Sequence, residues 1–174
     1  IFIIAFSYYT TREIIFIQHF NVMAGNIIGQ FFGNSLLEEM IFRGILLMQL
    51  YLIFIAKYSN KMTIIYSLAA SAVIFVLSHI PNRILTYIPD SLVIDTMSLL
   101  FGSTLLGIIF LKTKNIPFVI GFHSLVNYPS NIIVTNIPTE PIIFALVIII
   151  TLKWDKIIGK ETEYLLPIVE PLKV

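Results

Sequence analysis

Between Leu36 and Ile55 the chain is apolar except at Glu38, Glu39, Arg43 and Gln49. A run of this length is enough to cross a bilayer as a helix, which takes about 20 residues. Each ionised group within it costs on the order of 2.5–3.5 kcal/mol on insertion scales unless it is paired. The chain must therefore fold so that these groups meet one another or a polar cavity. At helical spacing Glu39 and Arg43 are i and i+4 and share a face. Glu38 lies about 100° further round. One carboxylate is thus expected to be structural, while its neighbour points toward a cavity. A polar clamp between helices is the plain alternative, but ionisable residues at membrane depth are functional by default.

The composition agrees with a membrane setting. The 174 residues are 57% apolar, and mean hydropathy is +0.93. Charged residues make up 12%, about half of the roughly 25% usual in soluble chains. A net charge of +1 argues against a nucleic-acid partner. With no cysteine, disulfides, thiolate catalysis and Cys-bound metal are excluded. The first residue is Ile1 rather than Met, so a preceding segment is expected. Abundant Ile, Lys and Asn point to a prokaryote and hence to a multi-pass protein of its plasma membrane.

In order, the sequence suggests three regions: 1–34, N-terminal helical segments cut short; 35–156, a membrane core; and 157–174, a polar tail. In the first region Gly25, Gly29 and Gly33 form a ladder that lets helix backbones approach closely, and His19 is expected at the interface. A break is expected at Gly33-Asn34-Ser35, where Ser35 and Glu38 have the spacing of a capping box. A carboxylate there sits in the first turn and is favoured by the helix dipole, a role that competes with catalysis for Glu38. Spans are then expected at about Leu36–Ala56, Thr63–Ile80 and Leu92–Leu111. The second should end at Pro81-Asn82. A fourth helix has Pro117 in its first turn and is disturbed by Pro129. A turn at Ile137–Glu140 precedes a short span, Ile142–Leu152, with Trp154 at the interface. The fold class expected is all-α, a polytopic transmembrane helical bundle with an intramembrane polar site.

Lysines sort by loop. Lys57, Lys61, Lys112, Lys114, Lys153, Lys156 and Lys160 follow the first, third and fifth spans, and the opposite loops carry Arg83 with Arg12 upstream. The positive-inside rule places the lysine-bearing ends and the C-terminus in the cytoplasm. Antiparallel neighbours would bring Glu38 and Glu39, near the start of span one, level with His79, near the end of span two. His123 and Asn127 are i and i+4 on the fourth helix. Inward polar residues of different helices converge into sites in bundles, although His123 lies nearer the inner end of its helix.

Glu38-Glu39-x-x-x-Arg43, then Phe75-x-x-x-His79, then His123-x-x-x-Asn127, on successive helices, resembles the CPBP family. These are the CAAX prenyl endopeptidases and bacteriocin-processing or immunity proteins, also called the Abi family. The resemblance covers about Ser35 to Pro129, and it is the ordered set that carries it. It implies an intramembrane peptidase of glutamate type that acts on a peptide or lipid-modified peptide.

No serine faces a histidine as a triad would require, since Ser78 and Ser124 only adjoin theirs in sequence. Water is then the expected nucleophile. The resemblance supports Glu38 as general base with His79 sharing the water's proton, and His123 and Asn127 as oxyanion donors. Glu39 would pair with Arg43, and Phe75 would support the site; Glu38 and Glu39 could exchange roles. No cofactor is expected. A zinc variant, with His79, His123 and one glutamate as ligands, is the alternative within the enzyme class. Outside it stands an immunity or partner-binding protein that retains the fold.

Overall fold

The computed structural model describes residues 20–86, 89–127 and 139–158. Expectations for His19, Arg12, Pro129 and the tail beyond 158 lie outside the described residues. Every described element is helical, in keeping with the all-α expectation. The chain divides into two compact units: residues 38–116 form one, and residues 20–37 with 117–158 form the other.

The helical backbone continues in sequence from Phe20 to Ile55 through α1 (Phe20–Gly29), π1 (Gln30–Ser35), α2 (Leu36–Glu39), π2 (Met40–Leu47) and α3 (Met48–Ile55). Two π-helical stretches in one run are unusual, and such segments collect at functional sites. The expected break at Gly33-Asn34-Ser35 does not occur, because Ser35 is already helical. Its hydroxyl is fully buried and has no hydrogen-bond partner among the described residues. The capping box is therefore not formed, and Glu38 is relieved of the competing capping role. A Cβ added at Gly25, Gly29 or Gly33 would meet nothing within 4 Å among the described residues.

The unit of residues 38–116 is built around two long helices, α4 (Asn60–Thr86) and α5 (Pro89–Thr113). Both are long and apolar enough to cross a membrane, the spans being Asn60–Leu85 and Leu92–Thr113. Pro81 does not end α4, which runs on to Thr86. Pro81 is exposed, and its missing N–H removes one helical bond near the end. Hydroxyls within these spans bond back to carbonyls one turn earlier: Ser67 to Thr63, Thr104 to Leu100 and Thr113 to Ile109. That habit lets Ser and Thr sit in apolar helices.

The core of this unit joins Leu47, Ala72, Phe75, Leu106 and Ile109, all buried. Gly107 is where α5 comes closest: a Cβ there would lie 2.7 Å from Leu68 Cδ2 and 4.0 Å from Leu47 Cδ2. Gly107→Val is expected to destabilise the protein by about 1–3 kcal/mol through overpacking. Thermal unfolding in lipid or detergent measures it, with Gly102→Val as control, since a Cβ at Gly102 meets nothing within 4 Å.

In the other unit, α6 (Ile116–Asn127) starts at the unit boundary and is followed by α7 (Thr139–Leu152) and α8 (Trp154–Ile157). Both α6 and the apolar stretch Ile142–Leu152 of α7 are shorter than a full span. Phe122 meets Phe144 edge-on, with ring centroids 5.2 Å apart. Trp154 is buried and packs on Phe118 at 4.9 Å, so its ring faces protein rather than the expected membrane interface.

Candidate active site

The buried guanidinium of Arg43 ties one end of the site together. Its Nη1 donates to Glu39 Oε1 at 2.9 Å. Its Nη2 donates to the carbonyl and to the hydroxyl of Ser103 on α5, at 3.1 Å each. Its Cζ lies 4.8 Å from the centroid of the Phe75 ring, within cation–π range. Glu39 and Arg43 are both essentially inaccessible to solvent. Residues four apart still meet where the backbone passes from α2 into π2. Bidentate contact with a carbonyl and a hydroxyl, plus one carboxylate, is how a buried guanidinium is made tolerable.

Glu38 departs from its neighbour as the helical angle requires. Glu39 is enclosed, whereas the Glu38 side chain keeps 27% of its surface accessible. Its Oε1 lies 3.8 Å from His79 Nε2. His79 itself is held firmly. Its Nδ1 lies 2.8 Å from the carbonyl of Phe75, and since a carbonyl can only accept, Nδ1 carries the hydrogen. Ser78 Oγ donates to the same carbonyl at 2.7 Å and lies 3.2 Å from Nδ1. The His79 ring also stacks on Phe75 at 4.3 Å, with 31° between the planes, and Phe42 meets Phe75 edge-on at 4.8 Å. Phe75 thus bears on both His79 and Arg43. With Nδ1 committed, Nε2 is the nitrogen presented toward Glu38, a tautomer choice set by the other ring nitrogen's bond.

One turn beyond His79, Arg83 Nη1 lies 4.0 Å from Asp95 Oδ2 on α5. Neither this pair nor the Ser103 contact is part of the sequence reading above. The signal available for Ser103 is a hydroxyl directly after Gly102 in an apolar span, and nothing in the sequence singles it out from Thr104 and the other hydroxyls there.

In the second unit, His123 is buried, and its Nε2 accepts from Asn127 Nδ2 at 3.1 Å. Asn127 is at the exposed end of α6. Its amide nitrogen has a second hydrogen, which can be offered to a substrate oxygen. Ser124, next to His123, bonds back to the carbonyl of Ile120 at 2.8 Å. Its hydroxyl is thereby engaged within its own helix. Among the described residues no three of His, Cys, Asp and Glu gather closely enough to hold a metal ion.

Thus the structure brings together Glu39 with Arg43, Glu38 with His79, and His123 with Asn127. Residues 20–129 match the type II CAAX prenyl endopeptidase Rce1-like family. The chain belongs to this family. It is a family of polytopic membrane proteases, which makes the protein a membrane-embedded endopeptidase with a peptide substrate. The three ordered motifs all fall within the matched residues. No curated protein and no solved structure matches the chain.

Proposed function

We propose that this CAAX prenyl endopeptidase-like chain hydrolyses a peptide bond in a small or membrane-associated peptide with a water molecule activated by Glu38 and His79. The observation that carries the reading is the facing of Glu38 Oε1 and His79 Nε2 across 3.8 Å. That gap exceeds a direct hydrogen bond, yet a water placed to one side can reach both groups at about 2.8 Å. The Phe75 carbonyl and ring keep the imidazole aimed at it.

In the first step the water oxygen attacks the scissile carbonyl carbon while its proton passes to the Glu38 carboxylate. The carbonyl π electrons move to oxygen, and by the family resemblance the oxyanion so formed accepts from His123, through the ring nitrogen not bonded to Asn127, and from the second amide hydrogen of Asn127. Collapse breaks the C–N bond, and the proton held by Glu38 passes to the departing amine. Glu39 takes no part in proton transfer, because its carboxylate is sealed against Arg43. This favours Glu38 over Glu39 as the base. The reading places the protein in a prokaryotic plasma membrane, with peptide processing or export as the setting.

Asn127→Ala is expected to lower kcat on the order of 100-fold with little change in KM, as loss of one oxyanion donor does elsewhere. Steady-state cleavage of a quenched-fluorescent peptide measures it. A KM effect without a kcat effect would move Asn127 from oxyanion stabilisation to substrate binding.

A further inference from the structure

The unit of residues 38–116 carries an open apolar groove of about 480 Å³. This is within the range of roughly 300–1,000 Å³ typical of ligand sites. Three rings stand together at one end: Tyr58 and Tyr66 at 4.8 Å, each 6.0 Å from Phe54. Ala69 and Ala70, whose small side chains leave the trough, follow on α4, and the lining ends near Ile74. From Tyr66 to Ile74 the helix rises about 12 Å, close to the half-thickness of a roughly 30 Å hydrocarbon core. The groove therefore fits one leaflet. Tyr66, Val73 and Ile74 are exposed on a helix apolar enough to span the membrane, so the groove opens where lipid lies.

Among the described residues of this unit, the charge at the aromatic end is of one sign. Lys57 and Lys61 flank Tyr58 in sequence and are exposed. Arg83 meets Asp95 and Leu68 meets Gly107, so α4 and α5 run antiparallel, and the end of α5, with Lys112 and Lys114 beyond it, returns to the same end of the unit. The sequence has no acidic residue from 40 to 89 or from 96 to 139. Glu38, Glu39 and Asp95 all belong to the opposite end. Tyrosines at headgroup depth beside lysines, above a trough one leaflet deep, suit a chain-bearing anion better than a neutral lipid.

We infer that this groove holds an acyl chain of an anionic phospholipid whose headgroup phosphate lies among Lys57, Lys61 and the hydroxyls of Tyr58 and Tyr66. The site is separate from the Glu38–His79 pair and does not depend on the peptidase reading. Native mass spectrometry of the full chain tests it. The protein is released from detergent supplied with equal phosphatidylglycerol and phosphatidylcholine of identical acyl chains. The phosphatidylglycerol adduct should persist in excess. Lys57→Gln with Lys61→Gln should reduce that adduct by about 25-fold, since each basic residue contributes about fivefold, and should leave phosphatidylcholine unchanged. Ala70→Leu, which fills the trough, should reduce both adducts. Equal retention of the two lipids by the wild type would overturn the inference, as would full phosphatidylglycerol retention in the lysine variant. A dimer in place of lipid adducts, lost in Ala70→Leu, would assign the groove to a second copy of the chain. The lysine variant changes only exposed side chains and carries the test by itself should Ala70→Leu fail to fold.

Discussion

Glu38→Gln is expected to lower kcat for peptide cleavage by about 10²–10⁴-fold, the range for loss of a positioned general base. The substitution keeps the size and shape of the side chain and puts an amide beside His79. It removes only the capacity to take a proton from water. Because Glu38 is partly exposed, and the hydrogen bonds of Arg43 go to Glu39 and Ser103, the variant should fold and unfold like the wild type. His79→Ala should also lower kcat, and the double variant should lose little more than the worse single one. Groups that act on one proton transfer behave as a unit, and their losses do not add. Fully additive losses would show instead that the two side chains act in separate steps. Steady-state kinetics on the four proteins with one peptide decides the point.

The largest expected effect on stability belongs to Arg43. Arg43→Ala leaves the Glu39 carboxylate buried without its 2.9 Å partner and strips the Ser103 carbonyl and hydroxyl of their donor. Breaking one side of a buried pair costs about 3–5 kcal/mol. A midpoint shift in thermal or denaturant unfolding, read by circular dichroism in detergent or lipid, should show a loss of this size. Replacing both charges, as in Glu39→Leu with Arg43→Met, should recover much of it. A well-packed apolar pair avoids the desolvation that the ion pair must offset. A double variant no more stable than Arg43→Ala would mean that the Ser103 bonds, rather than the ion pair, carry the interaction. The comparison also separates stability from chemistry, because neither Glu39 nor Arg43 is assigned a proton in the proposed reaction.

The pairs legible in the sequence were those that local geometry controls. Glu39 with Arg43, and His123 with Asn127, needed only residues four apart on a helix, and both pairs form. Glu38 with His79 needed one more step, the antiparallel return of the next helix, and those side chains do face each other. Signals that depend on competition between local and wider structure were less readable. Ser35 has the spacing of a helix cap, but helix already precedes it, so no free N–H groups were left for it to serve. Pro81 reads as a stop, yet near the end of a 27-residue helix it removes one bond without ending the helix. The π-helical backbone over Met40–Leu47 is invisible to periodicity, because eight residues cannot distinguish it from ordinary helix. Ser103 was out of reach, since its partner is Arg43, sixty residues earlier, and no short-range pattern connects them. Among the described residues the tightest approach at a glycine is made at Gly107, which belongs to no repeat.

The central claim is that this membrane endopeptidase cleaves peptides with a water activated by Glu38 and His79. The measurement that tests it most directly is cleavage of a quenched-fluorescent peptide library by the purified full chain in lipid vesicles with excess chelator. The wild type and Glu38→Gln are run side by side at matched folded fraction. Cleavage by the wild type that persists in chelator and falls at least about a hundredfold in the variant is the result expected. Cleavage that Glu38→Gln retains in full would contradict the account, and cleavage lost in chelator and restored by zinc would replace the glutamate-activated water with a metal-bound one.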